Sequence, residues 1–415
     1  MVQSPNIFAL RGRVVLPVSG PPLPGGYVTI DGERIVGVGS APPDCPVHDL
    51  GDVAIVPGFV NAHTHLEFNG LDTPLGRPGM PLPQWIRTVI RQRRAANGLP
   101  TSDVVRGIRE CLQSGTTTLG EIATFDWPSE VAARDEPLPE TVVFHEVIAP
   151  TEDRFVGAAA RAEAVLNSSP LSPSIHVGLS PHAPYTVHRR MFETLVTAAG
   201  RCRAPLAMHL AESPEEIELL RTGGGPMREM LVELGAWDGA ADARYDSALG
   251  YLEVLARGPR ALVIHGNYLD DAELDFVAGH AGTMSIVYCP RTHAYFGHTP
   301  YRLGDMLARG IHVALGTDSR ASNPDLDMLA EMRFVTERHA QVSPAKALRL
   351  ATEAGAVALG LQHDVGTLEP GKLANLAIIA ADGELPPDSH DWLLESRAKV
   401  AATYLRGRRV VATTR

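Results

Sequence analysis

The chain has 415 residues, of which 44% are hydrophobic and 20% charged, as expected for a globular protein large enough for a barrel plus an appendage. Its formal net charge of -11 argues against nucleic acid or an anionic membrane as partner, because those surfaces need clustered lysine and arginine. Four scattered cysteines, an N-terminus without a leader pattern and the lack of long apolar runs favour a cytoplasmic protein.

Both ends of the chain carry strand patterns. Residues Tyr27 to Val38 alternate apolar and polar side chains around a turn at Asp31-Gly32, which predicts a β-hairpin. Near the C-terminus further strands are predicted at Leu373 to Ile379, Val400 to Leu405 and Arg409 to Ala412. We expect the two ends, residues 1–56 and 363–415, to combine into one small β-sandwich domain.

The middle of the chain, residues 57–362, alternates apolar strands with amphipathic helices, and eight such units imply a (β/α)8 TIM barrel. The first strand is expected to include Val53, Ile55 and Val56, whose apolar side chains suit burial on both faces. The other strands are predicted near Thr117 to Ile122, Val142 to Val147, Ile175 to Leu179, Leu206 to Leu210, Ala261 to His265, Met284 to Tyr288 and His312 to Gly316.

Local signals support this pattern. Ser213-Pro214-Glu215-Glu216 has an N-cap serine, a proline at the first helical position and a glutamate placed for a capping box. The stretch from Glu67 to Pro83 is rich in glycine and proline, so we expect an irregular loop that covers or shapes the site.

Polar residues follow several strands at the end where barrel enzymes carry their active sites. His63 and His65 lie two residues apart on the opening strand, so their imidazoles share one face and are placed to chelate a metal. The other strand ends carry His182, His209, Glu212, His265 and Asp318. One histidine at a strand end often has only a structural role, but five converging ends predict a catalytic centre.

These motifs resemble the amidohydrolase superfamily. The resemblance is carried by Pro57-Gly58-Phe59-Val60-Asn61-Ala62-His63-Thr64-His65, His209-Leu210-Ala211-Glu212, His265-Gly266 and Gly316-Thr317-Asp318-Ser319. More narrowly, the chain is similar to the single-metal branch that contains cytosine deaminase, the chlorohydrolases and adenosine-type deaminases. The segments Pro181 to Thr186 and Cys289-Pro290-Arg291 look most like members acting on S-adenosylhomocysteine, methylthioadenosine or aminofutalosine.

The chemistry of the residues and the resemblance assign the same roles. One divalent metal ion is expected to bind to His63, His65, His209 and Asp318, with a position left open for water. Zn²⁺ suits this set best, and Fe²⁺ or Mn²⁺ would use the same ligands. Glu212 is placed to carry protons from the water to the ring nitrogen and the departing amine, and Asp318 assists. His265 would hydrogen-bond the attacking oxygen or the tetrahedral intermediate.

Five residues are candidates for substrate contacts, each with a plainer alternative. His182 would reach the ring or ribose, or else only fix a loop. Trp85 would stack on a base, or else anchor a helix in the core. Arg154, Arg291 and His298 would bind a carboxylate or ribose, although an exposed arginine often does no more than face solvent.

We therefore expect a metal-dependent hydrolase that replaces an exocyclic amine of a small heterocyclic substrate, an adenine nucleoside derivative, with water. Guanine or cytosine deamination, triazine dechlorination and amide hydrolysis use the same machinery, and the fold alone does not separate them. A non-catalytic metal-binding protein is the other alternative, but it leaves Glu212 and His265 without a role. The sequence leaves self-association into a homo-oligomer open.

Overall fold

The computed structural model describes residues 7–95, 101–124, 130–131, 138–169, 172–240, 243–380 and 389–412. Seven strands precede the central part of the chain: β1 (Ile7–Arg11), β2 (Val14–Val15), β3 (Leu23–Pro24), β4 (Tyr27–Asp31), β5 (Arg34–Gly39), β6 (Val47–Asp49) and β7 (Val53–Pro57). The predicted hairpin is formed by β4 and β5, which pair antiparallel with Asp31 opposite Arg34.

Eight parallel strands form the central sheet, in the order in which they occur along the chain. They are β8 (Phe59–Thr64), β9 (Thr116–Ala123), β10 (Glu140–Val147), β11 (Ile175–Pro181), β12 (Leu206–Leu210), β13 (Ala261–His265), β14 (Met284–Tyr288) and β15 (Val313–Leu315). A bridge between Thr64 and Asp318 joins the end of β8 to the turn after β15, so the sheet curls into a barrel. Every residue of β8, β9 and β12 to β15 is buried, which explains the mainly apolar sequences of β12, β13, β14 and β15.

Helices connect the barrel strands and cover their outer faces. In the described part of the chain they are α1 (Leu82–Ala95), α2 (Thr101–Gln113), α3 (Phe155–Leu166), α4 (Arg189–Cys202), α5 (Pro214–Thr222), α6 (Gly225–Glu233), α7 (Ala248–Leu255), α8 (Asp271–Gly279), α9 (Pro290–Phe296), α10 (Leu303–Ala308), α11 (Met328–Arg338), α12 (Pro344–Leu350), α13 (Glu353–Leu359) and α14 (Asp391–Leu394). Within these residues, none of the helices is long and apolar enough to cross a lipid bilayer.

The last strands, β16 (Leu376–Ala380), β17 (Lys399–Leu405) and β18 (Arg408–Ala412), return to the N-terminal strands. They form a six-stranded sheet with β7, β2 and β3, while β5, β4, β1 and β6 form a four-stranded sheet. Side chains from both sheets share one apolar core, in which Ile30 and Ile35 of one sheet join Ile55 and Ile378 of the other. The predicted (β/α)8 barrel with a β-sandwich from both termini is thus confirmed.

One strand prediction is wrong. Val53, Ile55 and Val56 belong to β7, which pairs with β16 in the sandwich and is separate from the barrel strand that carries the histidines. The chain passes from sandwich to barrel at Gly58, whose amide donates to the carbonyl of Asn375 at 2.9 Å. A Cβ at this position would lie 2.1 Å from the Thr117 hydroxyl, so only glycine fits the crossing. The domain boundaries after residues 56 and 362 stay predictions, and residues 1–6 and 413–415 lie outside the described residues.

Arg406 connects the sandwich to the barrel. Its guanidinium donates to Glu140 Oε1 at 3.0 and 2.6 Å and to Glu33 Oε2 at 2.9 Å. The side chain of Glu140, at the start of β10, is only 6% exposed, so its charge depends on this partner.

Arg406→Gln is therefore expected to lower the free energy of unfolding by about 2 kcal/mol, because it leaves the buried Oε1 of Glu140 without its two guanidinium donors. Urea unfolding measures the effect. Arg11→Gln is the matched control, since the Arg11–Asp49 pair also lies in the sandwich but is exposed. A loss in Arg406→Gln no greater than in the control would contradict this role.

Candidate active site

The barrel strands bring the predicted polar residues together in one cleft at their carboxyl ends. The cleft has a volume of about 360 Å³. Its floor is lined by His65, His182, His209, Glu212, His265 and Asp318.

His63, His65 and His209 form a cluster in which one ring nitrogen from each lies within 4.8 Å of the others. Both ring nitrogens of His63 and Nδ1 of His65 are buried without a hydrogen-bond partner among the described residues. His209 Nδ1 donates to the carbonyl of His182 at 3.0 Å, which leaves its Nε2 lone pair directed at the cluster. Buried imidazole nitrogens without partners are costly unless they bind an ion, so these residues fit a divalent metal.

Burial keeps the histidines in the form that binds metal. It lowers the pKa of His65 well below its usual value, and the neighbouring His63 lowers it further. Burial and the nearby His182 do the same to the pKa of His209. Both rings are therefore neutral at physiological pH, as metal ligation requires.

Asp318 adds an oxygen to this cluster. Its Oδ1 lies 3.6 Å from His63 Nε2 and 3.7 Å from His65 Nε2. Its Oδ2 accepts a 2.9 Å hydrogen bond from the Ser322 hydroxyl, which turns Oδ1 towards the histidines. Burial by itself would raise the pKa of Asp318, but the adjacent His63 outweighs it and holds the pKa below its usual range, and His65 and His265 add to the effect.

Glu212 and His265 face each other beside the cluster, with 3.6 Å between Glu212 Oε1 and His265 Nε2. Burial raises the pKa of Glu212 well above its usual value, and the carboxylate of Asp318 raises it further. Burial lowers the pKa of His265, so its ring is neutral. The pair therefore combines a carboxyl whose raised pKa favours proton uptake with a neutral imidazole that orients an oxygen.

The structure brings three of the five predicted substrate contacts to the cleft wall, namely Trp85, Arg154 and His182. Trp85 also donates from Nε1 to the carbonyl of Ala321 at 3.2 Å, so it anchors α1 as well. His182 Nδ1 lies 2.6 Å from the Thr186 hydroxyl, which fixes the ring while leaving Nε2 towards the cleft. Arg154 is exposed at the rim, and no described residue pairs with its guanidinium.

The other two predicted contacts, Arg291 and His298, lie outside the lining of this cleft, and their role in substrate binding stays a prediction. The guanidinium of Arg291 is occupied by Glu331 at 2.7 Å and Asp325 at 2.6 Å. His298 Nδ1 lies 3.1 Å from the Tyr268 hydroxyl. Both side chains are engaged with the protein itself, a state that sequence spacing does not reveal.

Known proteins share this architecture and these motifs. The sequence profile of the amidohydrolase family matches residues 54–410. The chain belongs to the amidohydrolase family. The histidine cluster agrees with the metal dependence of that family.

Two relatives of this amidohydrolase are deaminases. The aminodeoxyfutalosine deaminase of Deinococcus radiodurans is 29% identical, and the match covers 83% of each chain. The 5-methylthioadenosine/S-adenosylhomocysteine deaminase of Pelotomaculum thermopropionicum is 31% identical, over 89% of this chain and 84% of the relative.

Solved structures share the fold. Helicobacter pylori aminofutalosine deaminase in complex with methylthio-coformycin superposes with a TM-score of 0.85 at 21% identity, covering 97% of this chain and 100% of that one. The atrazine chlorohydrolase of Arthrobacter aurescens, complexed with zinc, has a TM-score of 0.80 at 19% identity, covering 98% of this chain and 95% of that one.

Sequence reasoning missed several residues of the cleft in this amidohydrolase. Arg93 extends the cleft-facing stripe of α1, which repeats every four residues from Trp85 through Val89, so helical spacing could have found it. Glu146 lies near the carboxyl end of β10, and the rule that located the catalytic residues applies to it equally. Glu67, two residues after His65, lies behind the cleft lining, where its fully buried side chain forms an ion pair with Arg93.

Glu216 holds the turn that presents Glu212. Its two carboxylate oxygens accept hydrogen bonds from the amides of Ala211 at 2.8 Å and Glu212 at 2.9 Å. Ala211 has a left-handed backbone with φ of 54°, a conformation that a non-glycine residue adopts only when its surroundings hold it. The expected capping box is thus only half formed. Ser213 accepts from the Glu216 amide, but the Glu216 carboxylate reaches past Ser213 to the catalytic turn.

Glu216→Gln is expected to lower turnover about 10–100-fold with bound metal unchanged, because the amide group offers one acceptor where two backbone N–H groups need partners. Steady-state kinetics together with metal analysis measure this. Glu218→Gln, an exposed position on the same helix, is the control. Full turnover in Glu216→Gln would show that the turn holds its shape without the two hydrogen bonds to the Glu216 carboxylate.

Proposed function

We propose that this amidohydrolase is a metal-dependent aminohydrolase that replaces the exocyclic amine of an adenine nucleoside derivative with water and releases ammonia. The observation that carries the proposal is the Glu212–His265 pair beside the histidine cluster, since proton transfer and oxygen orientation are both needed to remove an amine. The deaminase activity named for two relatives at 29% and 31% identity supports the reaction type.

His63, His65, His209 and Asp318 would together hold one divalent ion. Zn²⁺ is the favoured identity because it suits three nitrogens and one oxygen, and zinc is present in the solved atrazine chlorohydrolase and in an adenosine deaminase from Xanthomonas campestris. Fe²⁺ and Mn²⁺ accept the same donors. When bound, the ion supplies Lewis-acid activation of the attacking water and lowers the pKa of that water towards ~7.

Side chains around the histidine cluster transfer the protons of the reaction. Glu212 takes one proton from the attacking water and gives it to the ring nitrogen next to the amine-bearing carbon. Asp318 accepts the second proton as the new C–O bond forms, and His265 hydrogen-bonds the same oxygen. The second proton passes from Asp318, through the now deprotonated Glu212, to the amine as the C–N bond breaks, and the amine leaves as ammonia.

The walls of the cleft suit a nucleoside better than a free base. Above the polar floor they are lined by apolar side chains of α1 and α6, namely Leu82, Ile86, Val89, Ile90, Met230, Leu231 and Leu234. This surface gives room and apolar contact for a substituent beyond the sugar. We assign Trp85 to stacking, His182 to the ring or ribose, and Arg154 to an anionic group at the rim.

The alternatives have weaker support. Guanine or cytosine deamination would leave the apolar outer cleft unused. The atrazine chlorohydrolase of known structure is 19% identical, which shows a shared fold and no more. A non-catalytic metal-binding role does not account for the buried Glu212–His265 pair.

Variants of the cluster should separate metal binding from chemistry. His209→Ala and Asp318→Asn are expected to lose both bound metal and turnover, because each removes a ligand. Glu212→Gln should retain metal yet lose turnover by about 10²–10⁴-fold, because an amide does not carry protons. Metal analysis and ammonia release are measured on each variant, with His363→Ala, an exposed histidine, as control. Turnover in Glu212→Gln equal to that of the wild type would refute the proton-transfer role.

The substrate class is tested by ammonia release from the metal-loaded protein. Adenosine, methylthioadenosine, S-adenosylhomocysteine, aminodeoxyfutalosine, guanine and cytosine form the panel, with a chelated sample as control. We expect metal-dependent release from the adenine nucleosides and little from the free bases. Release from guanine or cytosine alone would replace the proposal with its first alternative, and release from none would point to amide or halide hydrolysis.

A further inference from the structure

Glu146 is a buried carboxylate in the cleft that the reaction scheme does not use. It lies near the carboxyl end of β10, and its side chain is only 5% exposed. No described residue is seen to donate a hydrogen bond to it, and Nε2 of His182 lies 3.8 Å from its Oε1. A buried carboxylate without donors is costly, so this group is placed to receive donors from a ligand.

Arg93, the cation that acts on Glu146, already has an acidic partner. Arg93 forms an ion pair with Glu67, and its guanidinium lies over the Phe68 ring at 4.7 Å from the centroid. Glu67 is fully buried and also accepts from the Thr124 hydroxyl at 2.6 Å. Arg93 therefore lowers the cost of a negative charge at Glu146 without donating a hydrogen bond to it.

The position of Glu146 in the cleft indicates which part of a ligand it meets. The ring of His182 packs against His209, with 5.0 Å between centroids, so Glu146 lies one side chain away from the metal cluster. The same cleft lining also includes apolar side chains, among them Ile90 and Leu234. A nucleoside whose amine lies at the floor places its sugar in this intermediate layer, between the reacting ring and the apolar surface.

Resting on the proposed function, we propose that Glu146 accepts hydrogen bonds from the ribose hydroxyls of the substrate and thereby selects ribonucleosides over deoxynucleosides. The two oxygens of a carboxylate match the two hydroxyls of a vicinal diol, and charge-assisted bonds of this kind are stronger than neutral ones. His182 Nε2, beside the carboxylate, provides a further polar group for the same hydroxyls.

The test compares adenosine, 2′-deoxyadenosine and 3′-deoxyadenosine as substrates of the metal-loaded wild type and of Glu146→Gln. The wild type is expected to prefer adenosine over at least one deoxynucleoside by about tenfold or more in kcat/KM. In Glu146→Gln the preference should shrink towards unity, because KM rises for adenosine while the values for the deoxynucleosides change little. Glu152→Gln, an exposed carboxylate just beyond the same strand, should keep the wild-type preference.

The outcomes separate this proposal from the proposed function. Deamination of adenosine with a preference that Glu146→Gln leaves intact, or an equal loss on all three substrates, overturns the role of Glu146 and keeps the reaction. Failure of the wild type to deaminate any adenine nucleoside overturns both. If Glu146→Gln does not fold, as judged by circular dichroism, Glu146→Asp replaces it; its retracted carboxylate should lower the preference in part, and an unchanged preference overturns the proposal.

Discussion

The site depends on one backbone contact, the pairing of β8 with the turn that follows β15. The amides of Thr317 and Asp318 both donate to the carbonyl of His63, at 3.1 and 3.0 Å. Asn61 reinforces the pairing, since its side chain both donates to the Thr317 hydroxyl and accepts from the Thr317 amide. A Cβ at Gly316 would lie 2.9 Å from the His63 carbonyl, so the close approach needs glycine there. The same contacts therefore close the barrel and bring the predicted metal ligands His63 and Asp318 together.

Three of the six described non-glycine residues with a positive φ lie at the active site. Ala211, His265 and Asp318 each follow or end a barrel strand, and each has a left-handed backbone, with φ of 54°, 71° and 58°. Such conformations cost about 1–3 kcal/mol each and persist only when the surroundings hold them. Glu216 holds the first through two backbone amides, and the Tyr301 hydroxyl donates to the His265 carbonyl at 2.9 Å. The favourable packing and hydrogen bonds of the buried barrel thus offset the free-energy cost of these strained turns.

Much of the fold and of the site floor follows from sequence, because strand burial leaves apolar runs and catalytic side chains stand where those runs end. His63 and His65 could be assigned to one face from spacing alone. The crossing at Gly58 could not, since the apolar patterns of β7 and β8 are continuous and only sheet pairing separates them. The role of Glu216 in holding the Ala211–Glu212 turn could not be predicted, because its sequence context is an ordinary helix-start pattern. The engagement of Arg291 with two distant acids depends on tertiary contacts that a local pattern does not contain.

The loop between β8 and α1 is tied to the loop that follows the metal-binding aspartate. The carbonyl of Ala321 accepts both the Leu75 amide at 2.9 Å and the Trp85 indole at 3.2 Å, and Arg320 donates to the Leu71 carbonyl at 3.0 Å. The loop between β8 and α1 and the segment that follows the metal-binding Asp318 are thus mechanically coupled. Evolution of a new substrate range through insertions in this loop would disturb the metal site as well. Point substitutions at apolar α1 positions of the cleft lining, such as Val89 and Ile90, break none of these hydrogen bonds, so they alter the outer cleft while leaving the metal site in place.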